Sequence, residues 1–279
     1  MDEKRKELSV LLQWEIENYH YTHSFSLERI GMYFSKIFYK NELLVTPKML
    51  YKFYDSSNWS LDSLLHNYLY FANPRNFNDP FDCLSNREAQ IKRLGEGVSK
   101  HRDEIGICCF STICDNPLMW GHYTRSYTGF AVKFNNELLL KSEHLAIRSH
   151  VSYLRDYEPS NPKFNKVRNQ FRDLDIDSEI KENSLHLIIM LHEYCWKYFD
   201  WKYEKEYRAI AINSSDFDRK LTFNTEEVME VYIGHRMISH EPAAYNLLRH
   251  ILKTKYPNVK VFEVKPHPLI VQLDFQELQ

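Results

Sequence analysis

The chain has 279 residues, 43% of them hydrophobic and 27% charged, with a formal net charge of −2. These are the proportions of a globular protein long enough for an ample core, without an overall basic field for nucleic acid. Only 7 glycines stand beside 19 tyrosines, 17 phenylalanines and 5 tryptophans, where average usage gives roughly 20 glycines, and this excludes Rossmann dehydrogenases and P-loop NTPases: the close pair Gly95/Gly97 is followed by neither a third glycine nor Gly-Lys-Ser/Thr.

Residues 1–47 read as a helical extension. Leu8, Leu11, Leu12, Ile16 and Tyr19 recur at helical spacing, as do Leu27, Ile30, Phe34 and Phe38, and Pro47 closes the segment. Acids and bases mix at its start, which marks a helix and not a signal peptide. Its apolar faces pack on the same chain or on a second copy, which gives a route to a homo-oligomer. Residues 48–279 read as a single α+β domain.

From Met49 the texture changes. Residues 49–54 form an aromatic run read as a strand. Residues 60–66 read as helix, capped by Ser60 or Asp62, and 68–72 as another strand. In 73–82, Asn, Asp and Pro predict turns, with Asp79 bonding its own backbone and Phe77 and Phe81 plugging the core. Residues 105–113 are the most apolar strand candidate. Residues 118–123 read as helix or turn, 129–134 as strand, and Val151, Tyr153, Arg155 and Tyr157 alternate like a strand. Helical character runs from Asn161-Pro162 to about Phe199, with a break expected at Asp173-Leu174-Asp175-Ile176-Asp177. Strands follow over 206–212, 228–233, 259–264 and 269–275, with a helix over 241–255. The expected fold is α+β, a split or mixed sheet with helical insertions and the N-terminal helical extension.

Five cysteines, an odd number with Cys108 and Cys109 adjacent, indicate reduced thiols in a cytoplasm. Neighbouring cysteines on a strand point to opposite faces, so Cys108, Cys109, Cys114 and His122 make a poor zinc site and no metal is expected. No stretch approaches the roughly 18 apolar residues of a membrane span.

Four segments carry a family resemblance. They are Leu50-Tyr51-Lys52-Phe53; the 71–82 loop with Phe77-Asn78-Asp79-Pro80-Phe81-Asp82; Cys109-Phe110-Ser111 with Met119-Trp120-x-His122-Tyr123 and Gly129-Phe130-x-Val132-x-Phe134; and Tyr203-Glu204-Lys205-Glu206-Tyr207-Arg208. In order and spacing, over residues 49–236, the chain resembles the bacterial and phage domain-of-unknown-function family 2971, whose kinship implies a setting in phage defence. Mechanistically it is similar to ADP-ribosyltransferases of the Arg-Ser-Glu class. That likeness puts Lys52 at the basic position, Ser111 with Thr112 at the serine position, and Glu204 and Glu206 at the acidic pair. Two departures are plain: lysine replaces arginine and its bidentate fork, and Phe-Ser-Thr replaces Ser-Thr-Ser.

Read for their own chemistry, Glu204, Glu206 and Arg208 share one face if residues 202–212 form a strand. Such a pair of carboxylates can hold a ribose hydroxyl and stabilise an oxocarbenium-like centre; the alternative is an ion-pair ladder. The resemblance implies NAD as substrate, with Glu206 on the ribose and its cation, Glu204 on the acceptor, Ser111 orienting Glu206, and Lys52 on the diphosphate or nicotinamide side. Tyr51, Asn78, Asp79, Trp120, His122, Tyr123 and Arg208 are the further binding candidates. Trp120 and Tyr123 offer planar surfaces for a base, and His122 an acid–base group. The acceptor (protein, nucleic acid or small molecule) stays open. So do two other readings: a non-catalytic binding or regulatory module sensing a partner or nucleic acid, and a metal-dependent nuclease using Asp218-Arg219-Lys220. Gly106, Gly121 and Gly129 are expected at turns and close approaches around the site.

Overall fold

The computed structural model describes residues 47–79, 81–83, 105–140, 142, 145–154, 194–212 and 218–278. The N-terminal extension and most of the helix expected over 161–199 lie outside the described residues. The chain groups into two compact units: residues 1–46, 73–105 and 149–201, and residues 47–72, 106–148 and 202–279.

The second unit is built on a mixed sheet of 8 strands among the described residues. In chain order its strands are β1 (Met49–Tyr54), β3 (Ile105–Ser111), β4 (Phe130–Asn135), β5 (Leu145–His150), β8 (Glu206–Ile212), β10 (Val228–Gly234), β11 (Lys260–Pro266) and β12 (Leu273–Leu278). They lie in the order β12-β11-β10-β4-β1-β3-β8-β5. A pair of β2 (Tyr68–Tyr70) and β9 (Lys220–Thr222) adds a small antiparallel sheet. The pairing of β10 with β11 is parallel, as it must be when a helix, Pro242–Lys255, carries the chain back between them. The expected α+β class with a mixed sheet is what the chain adopts.

Strand alternation sorts the core into two layers. On one face Leu50 and Tyr54 of β1, Cys108 and Phe110 of β3, Val132 and Phe134 of β4, and Tyr207, Ala209 and Ala211 of β8 form the larger apolar cluster. It is closed by α1 (Asn58–Leu65), through Leu61 and Leu64, and by the 242–255 helix, through Leu248, Ile251 and Leu252. The Tyr256 hydroxyl donates to the Leu64 carbonyl at 2.7 Å and ties these two covers together. On the opposite face Tyr51, Phe53, Ala131, Tyr232, Phe262 and Val264 pack with Cys114, Tyr127 and Leu273 around Trp120 of α2 (Pro117–Tyr123).

Several expectations shift. The cap of α1 is Ser57, three residues earlier than Ser60; its hydroxyl accepts the Ser60 N–H. Residues 196–198, expected at the end of a helical stretch, form strand β7 (Trp196–Tyr198), in which two aromatic residues flank Lys197. The last strand begins at Leu273, because Leu269, Ile270 and Val271 are an exposed turn. β5 lies where the sequence pattern gives no strand signal: Arg148 interrupts its apolar run, yet the guanidinium is buried and donates to the carbonyls of Leu139 and Ser142 at 2.5 and 2.7 Å. Gly129 does sit at a close approach, where an added Cβ would lie 2.1 Å from the Tyr54 carbonyl oxygen. Gly121 does not, since nothing stands within 4 Å of the same point.

In the first unit β6 (Ser152–Leu154) pairs in parallel with β7. Asp79 accepts the Phe81 N–H at 2.8 Å, the self-capped turn that the loop composition predicts. Phe81 itself is exposed and does not plug a core. A buried ion pair joins Lys197 to Asp82 at 3.5 Å, with the ammonium 5.1 Å from the Trp201 ring centre.

Candidate functional site

Register decides which candidates meet. In the antiparallel ladders Ser111 of β3 stands opposite Tyr51 of β1, Tyr51 opposite Lys133 of β4, and Lys133 opposite Glu230 of β10. Directly opposed residues in a ladder point to the same side, so Ser111, Tyr51, Lys133 and Glu230 form one row on the face of Trp120. Glu206 and Arg208 of β8 point to this side as well, because Tyr207 and Ala209 belong to the other layer.

Lys52 is on the reverse face. Its amine donates to the Cys109 carbonyl at 3.3 Å and lies 5.6 Å from the ring centres of both Tyr54 and Phe110. The structure therefore brings Tyr51, Ser111, Glu206 and Arg208 to one side of the sheet and leaves Lys52 on the other.

The acidic segment is not continuous strand. Residues Phe199–Glu204 form a 3-10 helix, and β8 starts at Glu206. Between them Lys205 has φ of 47°, a left-handed conformation that a residue with a Cβ adopts only where its surroundings impose it. The surroundings are identifiable. The Ser111 hydroxyl donates to the Glu204 carbonyl at 2.6 Å, and the Thr112 N–H donates to the Lys205 carbonyl at 3.0 Å. Asn116, whose side chain also caps α2, donates to the Tyr203 carbonyl at 3.3 Å. Ser111 thus acts on the backbone of the turn that presents the two glutamates.

Both carboxylates are buried. The Tyr123 hydroxyl, at the end of α2, donates to Glu204 Oε1. Arg208 grips Glu206 through two nitrogens, Nε to Oε1 at 2.7 Å and Nη2 to Oε2 at 3.1 Å, a bidentate fork with the guanidinium wholly buried. Trp120 is a core residue: its ring meets Phe53 at 5.5 Å and Tyr127 at 6.1 Å, and its N–H donates to the Cys114 carbonyl at 2.8 Å. His122 is exposed, with its ring 6.2 Å from that of Tyr203. Asn78 and Asp79 belong to the first unit.

The residues that sequence reasoning passed over are Lys133, Glu230 and Tyr232. The Lys133 ammonium lies 3.1 Å from Glu230 Oε1, both side chains about one quarter exposed, and 6.0 Å from the Tyr51 ring centre. The Tyr232 hydroxyl donates to Glu230 Oε2. Burial raises the Tyr51 phenol above its ordinary value, an effect that the Lys133 charge partly offsets. Burial and the Glu230 carboxylate push Tyr232 well above its own. A signal existed: Lys133 interrupts the apolar run of a central strand, and Glu230 that of its neighbour.

Among the described residues no group of three or more His, Cys, Asp or Glu is gathered as a metal ion would require, and no helix is long and apolar enough to cross a membrane. No curated protein and no solved structure matches the chain. Residues 119–209, about one third of the chain, match the model of the family described as "Protein of unknown function (DUF2971)"; that stretch takes in Trp120, Tyr123, Lys133, Glu204, Glu206 and Arg208.

Proposed function

We propose that the chain is an ADP-ribosyltransferase-like enzyme that takes NAD as substrate, in a bacterial phage-defence setting. The observation that carries this reading is the Ser111 hydroxyl holding the strained Glu204-Lys205-Glu206 turn, on a strand adjacent to the one that presents Tyr51. In the reaction the bond from ribose C1′ to nicotinamide breaks, and its electron pair leaves with neutral nicotinamide. Positive charge develops on the ribosyl carbon, where a preorganised carboxylate stabilises it. Glu206 has that role, its position fixed by the Arg208 fork. Glu204, oriented by the Tyr123 hydroxyl, accepts the proton of the attacking nucleophile as the new bond to C1′ forms.

One observation favours a second reading, a non-catalytic module. Arg208 engages both oxygens of Glu206 in a buried pair, which is also how a purely structural ion pair looks. Nicotinamide release from NAD separates the two. Wild type is expected to release nicotinamide when supplied with protein, nucleic-acid or water acceptors, and Glu206→Gln, assayed well below its own lowered melting transition, to slow release by about a hundredfold or more. A wild type that neither releases nicotinamide nor binds NAD sinks the enzyme reading. So does a Glu206→Gln variant that keeps full activity.

A further inference from the structure

We infer that Lys133, together with the Tyr51 and Tyr232 rings beside it, forms the diphosphate-binding end of the site and takes the place that Lys52 cannot fill. The inference rests on the NAD reading for the nucleotide's identity, but on geometry for the residue. An anion-binding cation must stand on the same side of the sheet as Ser111, and Lys52 stands behind it. Lys133 is in the same cross-strand row as Ser111, with Tyr51 between them. Two strand spacings of about 4.8 Å put the two backbones about 10 Å apart, and a lysine stem shortens the gap, so a ribose and its diphosphate span it.

The chemistry of the row suits a phosphorylated nucleoside. An ammonium has three donors; Glu230 Oε1 takes one at 3.1 Å, which leaves donors for phosphate oxygens. Both side chains of this pair are partly exposed, so the pair can open and exchange partners without burying a bare charge. Tyr51 is half-buried and presents a ring surface between hydroxyl and ammonium. Tyr232 is anchored by stacking on Phe262 at 5.3 Å and by its bond to Glu230, and it forms the floor. Glu230 competes with phosphate for Lys133 and repels it. Its neutralisation therefore tightens binding, a sign opposite to that of an ordinary supporting contact.

Calorimetric titration with ADP as probe tests the inference apart from turnover. Wild type is expected to bind ADP, and Lys133→Met to weaken binding about tenfold or more, the loss of one charge-assisted contact. Lys133→Arg and Lys52→Met are expected to retain the affinity, and Glu230→Gln to raise it a few-fold. An ADP affinity untouched by Lys133→Met overturns the inference, as does a wild type that does not bind ADP or a Glu230→Gln variant that binds it more weakly. Nicotinamide release is scored separately: ADP binding through Lys133 with no turnover of NAD keeps this inference and removes the transferase reading.

Discussion

Two cation–glutamate pairs share one face of the same sheet. At the β8 end Arg208 and Glu206 are two residues apart on one strand, both buried and joined by a two-point fork. Two strands beyond Ser111, Lys133 and Glu230 face each other across neighbouring strands, partly open to solvent and joined by one contact of 3.1 Å. The first is charge locked into the fold. Each partner offsets part of the other's desolvation, and the planar guanidinium favours the two-point geometry. The second can open to solvent without leaving a bare buried charge, which is what the proposed diphosphate contact requires of it. Similar charges on one surface thus do different work, and burial decides which.

The contrast predicts its own largest effect. Arg208→Met should lower the unfolding free energy by about 3–5 kcal/mol, because it removes a buried guanidinium together with both of its contacts to the buried Glu206 carboxylate. Urea denaturation measures it. Exchanging both partners for apolar residues of similar volume should recover most of that loss; failure of the double variant to recover would mean that Arg208 supports more than its pair with Glu206.

Asp55 supplies an intermediate case. It accepts from the Ser57 N–H at 3.1 Å and from the hydroxyls of Ser57 and Ser60 at 2.5 Å each, just ahead of α1. Burial alone would raise its carboxyl, but these hydrogen bonds, helped by Arg125, outweigh burial and hold it below the ordinary 3.8. A carboxyl lowered in the folded state contributes stability that is present above about pH 4 and lost as pH falls through its folded value. Asp55→Asn should therefore cost about 1 kcal/mol near neutrality, the usual worth of a helix-start hydrogen bond, and progressively less below pH 4. A cost that stays constant down to pH 2 would show that the charge contributes nothing.

What the sequence disclosed follows the same line between local and distant information. The aromatic run at 49–54, the apolar run at 105–111 and the alternation at 130–135 carry their own strand signal, and all three form. The 242–255 helix also stands where its spacing puts it. Local pattern does not say which residue of one strand opposes which residue of another. Lys52 and Tyr51 are adjacent in sequence, and the register Tyr51–Ser111 alone decides that the tyrosine faces the serine and the lysine faces away. A shift of one residue would exchange them. The break at Lys205 was hidden for a related reason: no glycine or proline marks it, and contacts from Ser111 and Thr112, remote in sequence, impose it.

The smallest stability effect is the one that sharpens the comparison most. Removing the Lys133 charge as Lys133→Met should change the unfolding free energy by less than about 1 kcal/mol, since a partly exposed single-contact pair contributes little and Glu230 keeps both solvent and the Tyr232 hydroxyl. The melting temperature should also respond weakly to salt, because screening acts on an interaction that is small from the start. Equal losses from Lys133→Met and Arg208→Met would erase the distinction between locked and available charge. A negligible loss at Lys133 beside a large one at Arg208 would instead fix the direction of the site. The diphosphate contact proposed for Lys133 requires that freedom, a cation on β4 that moves without unfolding the sheet that holds it.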